Sequence, residues 1–151
     1  MKKICFIINS AGGLSVIYPI LEKILKKKIK AILLYSAQVS THKLIKKVKI
    51  KKFFFNKNIS LKSSSSILRL IQPDLVFCSN NGNNKFETNF LRSSKLNKIN
   101  SFTIMDSWSY PLRRFQYKIG SKTFEIFPNT IGVPNKKIYN LIKNKAKFSD
   151  V

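Results

Sequence analysis

Lys3-Ile4-Cys5-Phe6-Ile7-Ile8-Asn9-Ser10-Ala11-Gly12-Gly13-Leu14-Ser15 is the stretch on which the reading of this chain turns. Ile4 to Ile8 is an unbroken apolar run, as expected of a strand covered on both faces. Asn9 to Gly13 then reads as a glycine-bearing turn. From Leu14 the residues Ile17, Ile20, Leu21, Ile24 and Leu25 recur at helical spacing, up to Lys26-Lys27-Lys28, whose cations suit a helix C-terminus. Ser15 is the expected N-cap, and Pro19 is tolerable only near a first turn. Strand, turn and helix in this order open a parallel α/β sheet, whose ligand usually sits at the mouth of that turn.

The same pattern repeats outward. Ala31 to Tyr35 is a second buried strand, followed by a helical run with Leu44, Ile45 and Val48 inward. Lys51 to Phe55 is a short third strand with Phe53-Phe54-Phe55 as its core. Ser63 to Ser66 open a helix continued by Ile67, Leu68, Leu70 and Ile71 and stopped at Pro73-Asp74. Leu75 to Cys78 is a fourth strand, Phe86 to Leu96 a helix and Ser101 to Met105 a fifth strand. Phe127 to Pro134 holds a sixth short strand between prolines. Asn135 caps a last helix carrying Ile138, Leu141 and Ile142. The expected fold is therefore α/β: a Rossmann-like parallel sheet of about six strands, with helices on both faces, in a single domain over residues 1–151.

Composition narrows the classes. A chain of 151 residues suits one core, and no apolar run approaches the ~20 residues of a membrane span. The apolar run after Lys2 and Lys3 is shorter than the roughly 7–15 residues of a signal-peptide core, so it reads as a first strand. Cys5 and Cys78 fall in buried strands; counting leaves a disulfide between them open, and two core thiols of a reducing cytoplasm is the simpler account. One histidine, His42, with two distant cysteines does not make a zinc site, and His42 among lysines reads as a solvated surface residue. The six acids have no neighbours among themselves, which argues against a two-carboxylate hydrolase or a multi-acid metal site. The net charge of +23 admits nucleic acid or an anionic membrane as partner. It is also what a lysine-, asparagine- and isoleucine-rich composition gives without any function. Arginine, which nucleic-acid readers favour, occurs only at 69, 92, 113 and 114.

In a parallel sheet the loops after the strands gather at one edge. Three are expected to meet there. In the first, Gly12, Gly13 and Ser15 offer close backbone approach and a helix N-terminus; the alternative is a tight turn without ligand. In the second, Ser79 and Asn80 lead a run of amides and hydroxyls able to bind a sugar or a base; the alternative is a solvated turn. In the third, Asp106, Trp108, Tyr110, Arg113 and Arg114 lie within ten residues. Asp106 can accept from a hydroxyl, and the arginine pair can hold a phosphate or carboxylate by two bonds. A structural Asp–Arg pair with Trp108 packed on a helix is the competing account.

Two segments carry a family resemblance. Ile7-Ile8-Asn9-Ser10-Ala11-Gly12-Gly13-Leu14-Ser15 with Pro19 resembles the opening of the N-terminal domain of GT-B-type glycosyltransferases and UDP-N-acetylglucosamine 2-epimerases. Met105-Asp106-Ser107-Trp108-Ser109-Tyr110 with Arg113, Arg114 and Phe115, then Phe127-Pro128-Asn129-Thr130-Ile131-Gly132-Val133, is similar to a pattern in surface-polysaccharide members of that group. Asn129 stands where those members have an acid, and the spacing after Gly13 differs.

The resemblance implies an acceptor-side half. In such enzymes the N-terminal domain mainly binds the acceptor and the C-terminal domain mainly holds the nucleotide-sugar. Asp106 is then the candidate catalytic residue, and the acceptor a glycan or a lipid-linked sugar. This chain is expected to bind no cofactor itself, the nucleotide-sugar donor coming with a further domain or a partner subunit. A cytoplasmic location, with lysines on the inner face of an anionic membrane, fits that reading. The alternative from a different class is a basic nucleic-acid-binding α/β module without catalytic activity.

Overall fold

The computed structural model describes residues 2–27, 29–56, 58–79, 85–105 and 110–146. Along the chain run β1 (Lys3–Ile8), α1 (Ala11–Lys26), β2 (Lys30–Ser36), a 3-10 turn (Ala37–Val39), α2 (Lys43–Lys47) and β3 (Lys51–Phe55). Then come α3 (Leu61–Ile71), β4 (Leu75–Cys78), α4 (Lys85–Leu96) and β5 (Asn100–Ile104). A second 3-10 turn (Arg113–Phe115) precedes β6 (Gln116–Ile119), β7 (Lys122–Glu125), β8 (Thr130–Gly132) and α5 (Lys136–Ala146). Six strands form one parallel sheet in the order β3-β2-β1-β4-β5-β8. This is the expected Rossmann-like α/β fold. The strand order reverses between β1 and β4, so the ends of these two strands flank a crevice.

β1 is central because both its faces are apolar. Phe6 and Ile8 pack with Leu14, Ile17 and Leu21 of α1 and Ile45 and Val48 beside α2. Cys5 and Ile7 pack with Leu68 and Ile71 of α3 and Phe86 and Phe90 of α4. Cys5 and Cys78 are buried free thiols, and burial pushes both well above the ordinary value, with Glu87 and Cys5 adding to the shift of Cys78. The serines of α3 serve helix packing: buried Ser64 and Ser93 of α4 share a 2.6 Å hydrogen bond, and their small size lets the two helices approach.

Several local expectations are corrected. The helix after β1 starts at Ala11, with Ser10 and not Ser15 as N-cap, because the Ser10 Oγ accepts from the Gly13 N–H at 3.0 Å. Ser15 is exposed and donates to the Ala11 carbonyl. Pro19 consequently lies in the helix interior. Its missing N–H is tolerated because Pro19 and Ser15 both face water, which can serve the orphaned carbonyl. His42 is half-buried, and its Nδ1 accepts from the Leu44 N–H to cap α2. β3 is an edge strand, so Phe53 and Phe54 are not core but 37% and 48% exposed. Leu141 likewise faces out, at 44%, while Ile138 and Ile142 turn inward.

One element is unanticipated. β6 and β7 form an antiparallel hairpin whose turn holds Gly120 at φ 58°. Its signal is the two-residue Gly120-Ser121 loop between short alternating runs. Asn129, the departure from the acid of the resemblance, keeps an acceptor's work. Its Oδ1 takes bonds from the Ser101 N–H and Oγ, each 2.9 Å, and its own N–H donates to the Ser101 Oγ. That clamp fixes the start of β5 beside the entry to β8.

Candidate functional site

The crevice between β1 and β4 is built around Asn9. This residue directly follows β1, at 4% exposure and one step before the cap of α1. Its backbone N–H donates to the Glu87 Oε1 at 3.0 Å, and its side-chain amide donates to the Gln38 Oε1 at 3.0 Å. Ser79, just beyond β4 and 1% exposed, donates its hydroxyl to the same Glu87 Oε1. Glu87 itself is 3% exposed in the first turn of α4. The ends of β1 and β4 therefore meet on one buried carboxyl of α4, and the turn after β2 joins them through the Asn9 side chain.

Gly13 closes the arrangement from above. A Cβ at this position would fall within 3.0 Å of the Ser79 side chain, a distance that real Cβ atoms do not show. Only glycine lets α1 settle this close to β4. The sequence feature is therefore a packing requirement between the first and second loops. Gly12, next to it, is exposed.

The candidates from sequence divide as follows. Gly13 and Ser79 are brought together, with Gly12 on the rim, while Ser15 points away on the exposed side of α1. Asn80, Asp106 and Trp108 lie outside the described residues. Tyr110 is 69% exposed at φ 47°, with the Arg113 guanidinium 5.1 Å from its ring centre. Arg113 is exposed and Arg114 half-buried, both on the turn that plants Phe115 in a separate cluster with Met105, Ile138 and Ile142. The structure thus groups Tyr110 with Arg113, and Gly13 with Ser79. Sequence reasoning passed over Glu87, Asn9 and Gln38. Glu87 was findable: Phe86, Phe90, Leu91 and Ser94 mark the inward face of α4, and Glu87 falls on that stripe.

Chemically, the floor of the crevice is a carboxyl group that takes its hydrogen bonds from within the fold. Glu87 takes up the Asn9 N–H, a strand-end donor that a phosphate could otherwise use. A phosphate entering there finds that donor already committed. Neutral hydroxyls meet amides instead, from Asn9 and from the exposed Gln38.

No protein-family model matches the sequence, and no curated protein matches it significantly. Solved structures do match the fold. MnaA of S. aureus in complex with UDP superposes with a TM-score of 0.56 at 17% identity, over 69% of this chain and 29% of that one. UDP-GlcNAc 2-epimerase from Neisseria meningitidis, bound to UDP-GlcNAc, gives 0.53 at 17% identity, over 68% and 31%. Glycosyltransferase VinC with dTDP gives 0.57 at 8% identity, over 74% and 36%. The fold is the one these epimerases and glycosyltransferases share. This chain spans about a third of the length of each.

Proposed function

We propose that the chain is the acceptor-side domain of a glycosyltransferase-like protein of glycan or surface-polysaccharide synthesis. The observation that carries this reading is the buried Glu87 carboxylate at the strand-order reversal, held by the Asn9 N–H and the Ser79 hydroxyl. It disfavours a nucleotide phosphate at the mouth and favours a neutral, hydroxyl-rich ligand. The nucleotide-sugar donor then comes with a further domain or a partner subunit, and the lysine-rich surface serves an anionic membrane carrying a lipid-linked acceptor. Among the described residues no helix is long and apolar enough to cross a membrane, which suits peripheral contact.

The test is an NMR titration of the labelled chain with a neutral oligosaccharide and, separately, with UDP. The oligosaccharide is expected to shift the amides of Asn9, Gly12 and Gly13, with UDP acting weakly there. Larger shifts at these amides from UDP, or sugar transfer by the purified chain alone, sink the acceptor-side reading.

A second reading, a basic nucleic-acid module, has one observation in its favour. Phe53 and Phe54 are partly exposed on the edge strand, with Lys51 5.2 Å from the Phe53 ring centre. Stacking platforms beside cations suit single strands. Steeply salt-dependent RNA binding that is lost in Phe54→Ala supports it; binding unchanged by that substitution counts against it.

A further inference from the structure

A second cleft lies away from the crevice, between α4 and the β6–β7 hairpin, with a volume of ≈ 590 Å³. Lys85, Thr88, Asn89 and Arg92 line one wall. Their spacing of i, i+3, i+4 and i+7 makes them one stripe of α4, distinct from the inward stripe that bears Phe86, Glu87 and Phe90. The hairpin supplies the other wall, with Gln116, Tyr117, Lys118 and Thr123. Among the described residues three cations line this cleft and no carboxylate does.

Arg92 is set in position from two sides. Its guanidinium lies over the Tyr117 ring at 4.2 Å, and Tyr117 is itself stacked on Phe124 at 5.5 Å. Its Nη1 donates to the Asn89 Oδ1 at 3.4 Å, and Asn89 is in turn tied to the Ile59 carbonyl at 2.7 Å. A guanidinium fixed on an aromatic face keeps further N–H donors in a planar fork, a geometry that matches phosphate oxygens. Lys85 and Lys118 are exposed and add point charge from opposite walls. Thr88 and Thr123 add hydroxyls suited to a hydroxylated neighbour of the phosphate. The volume falls in the range of small-ligand pockets, which favours a compact ligand over a nucleic-acid strand.

We propose that this cleft is a phosphate subsite, taking the phosphomonoester or diphosphate group of a small soluble molecule or of a lipid headgroup. Arg92 binds two oxygens of that group, and Lys85 and Lys118 neutralise it. Nothing in this assignment depends on the glycan acceptor: the cleft and the crevice use different faces of α4, and either can fail alone.

The experiment is calorimetric titration of the whole chain with inorganic pyrophosphate at physiological ionic strength. Saturable one-to-one binding is expected. Arg92→Gln is expected to weaken it about tenfold, the value of one lost charge-assisted contact. Arg92→Lys is expected to weaken it too, because the fork is lost although the charge stays. The Lys85→Gln/Lys118→Gln double variant changes only exposed side chains and keeps the test alive if Arg92 variants fold poorly. Lys26→Gln, on the exposed end of α1, controls for the general field and is expected to change little. Equal weakening by Lys26→Gln and Arg92→Gln, or no saturable binding, overturns the assignment. Vesicles with phosphatidic acid against pure phosphatidylcholine separate the sources: Arg92-dependent capture on the former assigns a lipid headgroup, while Arg92-dependent pyrophosphate binding without capture assigns a soluble ligand. An RNA oligonucleotide that displaces pyrophosphate, and depends on Arg92 more strongly than pyrophosphate does, makes the cleft a nucleic-acid groove and overturns the phosphate subsite.

Discussion

Gly13 shows how a single residue can be read correctly as important and wrongly as to cause. From sequence it offers a backbone for a ligand to approach. In the structure the approach is made by Ser79, whose side chain fills the space a Cβ would need. Two opposing effects then set the outcome of Gly13→Ala. Alanine in a helix gains roughly 0.5–1 kcal/mol over glycine, whereas forcing a Cβ into packed surroundings costs typically 1–3 kcal/mol. Gly13→Ala is therefore expected to destabilise, by up to about 2.5 kcal/mol in urea denaturation, the difference between those effects. In a Ser79→Gly background the severe overlap is gone, the Ser10 Oγ at 3.1 Å is the nearest neighbour left, and the helical gain remains. There the same substitution is expected to stabilise. A loss of equal size in both backgrounds means that Ser79 is not the obstacle.

At the scale of elements, the strands and helices with strong periodicity were legible and the irregular joins were not. β1 was readable to its ends, since an apolar run bounded by lysine and asparagine has one natural register. The start of α1 was not, because both Ser10 and Ser15 are good caps and only the Ser10 Oγ finds a free N–H, that of Gly13. The hairpin escaped notice since β7 is exposed throughout and β6 is at most half-buried, so neither carries a buried face for a pattern to report. What holds it is mostly local: the Gly120 turn, the Tyr117–Phe124 stack and the Ile126 N–H donating to the Phe115 carbonyl at 2.8 Å, with the Arg92 guanidinium of α4 on the Tyr117 ring as the long-range contact. Nothing lies within 4 Å of a Cβ at Gly120, so substitution there acts through the backbone alone. Gly120→Ala is expected to cost about 1 kcal/mol and Gly120→Asn distinctly less, since asparagine tolerates positive φ. Amide exchange in β6 and β7 measures this, and equal protection in both variants refutes a backbone origin.

For the molecule as a whole, the +23 charge acts on stability whatever its partner. Like charges repel more in the compact state than in the expanded one. Raising ionic strength from about 0.01 M to 0.15 M shortens the screening length from roughly 30 to 8 Å. Relief of about 1 kcal/mol corresponds to an increase of roughly 2–4 °C in Tm for a chain of this size. Scanning calorimetry with sodium chloride checks this, and a Tm that falls with salt means that attractive pairs outweigh the repulsion.

The sequence by itself determined the α/β class and a parallel sheet of about six strands, because periodic burial is a local pattern that one stretch of chain can carry. It did not determine which polar residues meet. Asn9 lies 78 residues before Glu87, while Ser79 is 8 residues from it across a loop, and each taken alone is an ordinary polar residue. Only the reversal of strand order between β1 and β4 brings the two strand ends and the first turn of α4 together. Once buried there, Glu87 must have its donors, and Gly13 must stay small. The cleft lined by Arg92 and Tyr117 has the same origin, since it exists only where the hairpin folds back on α4.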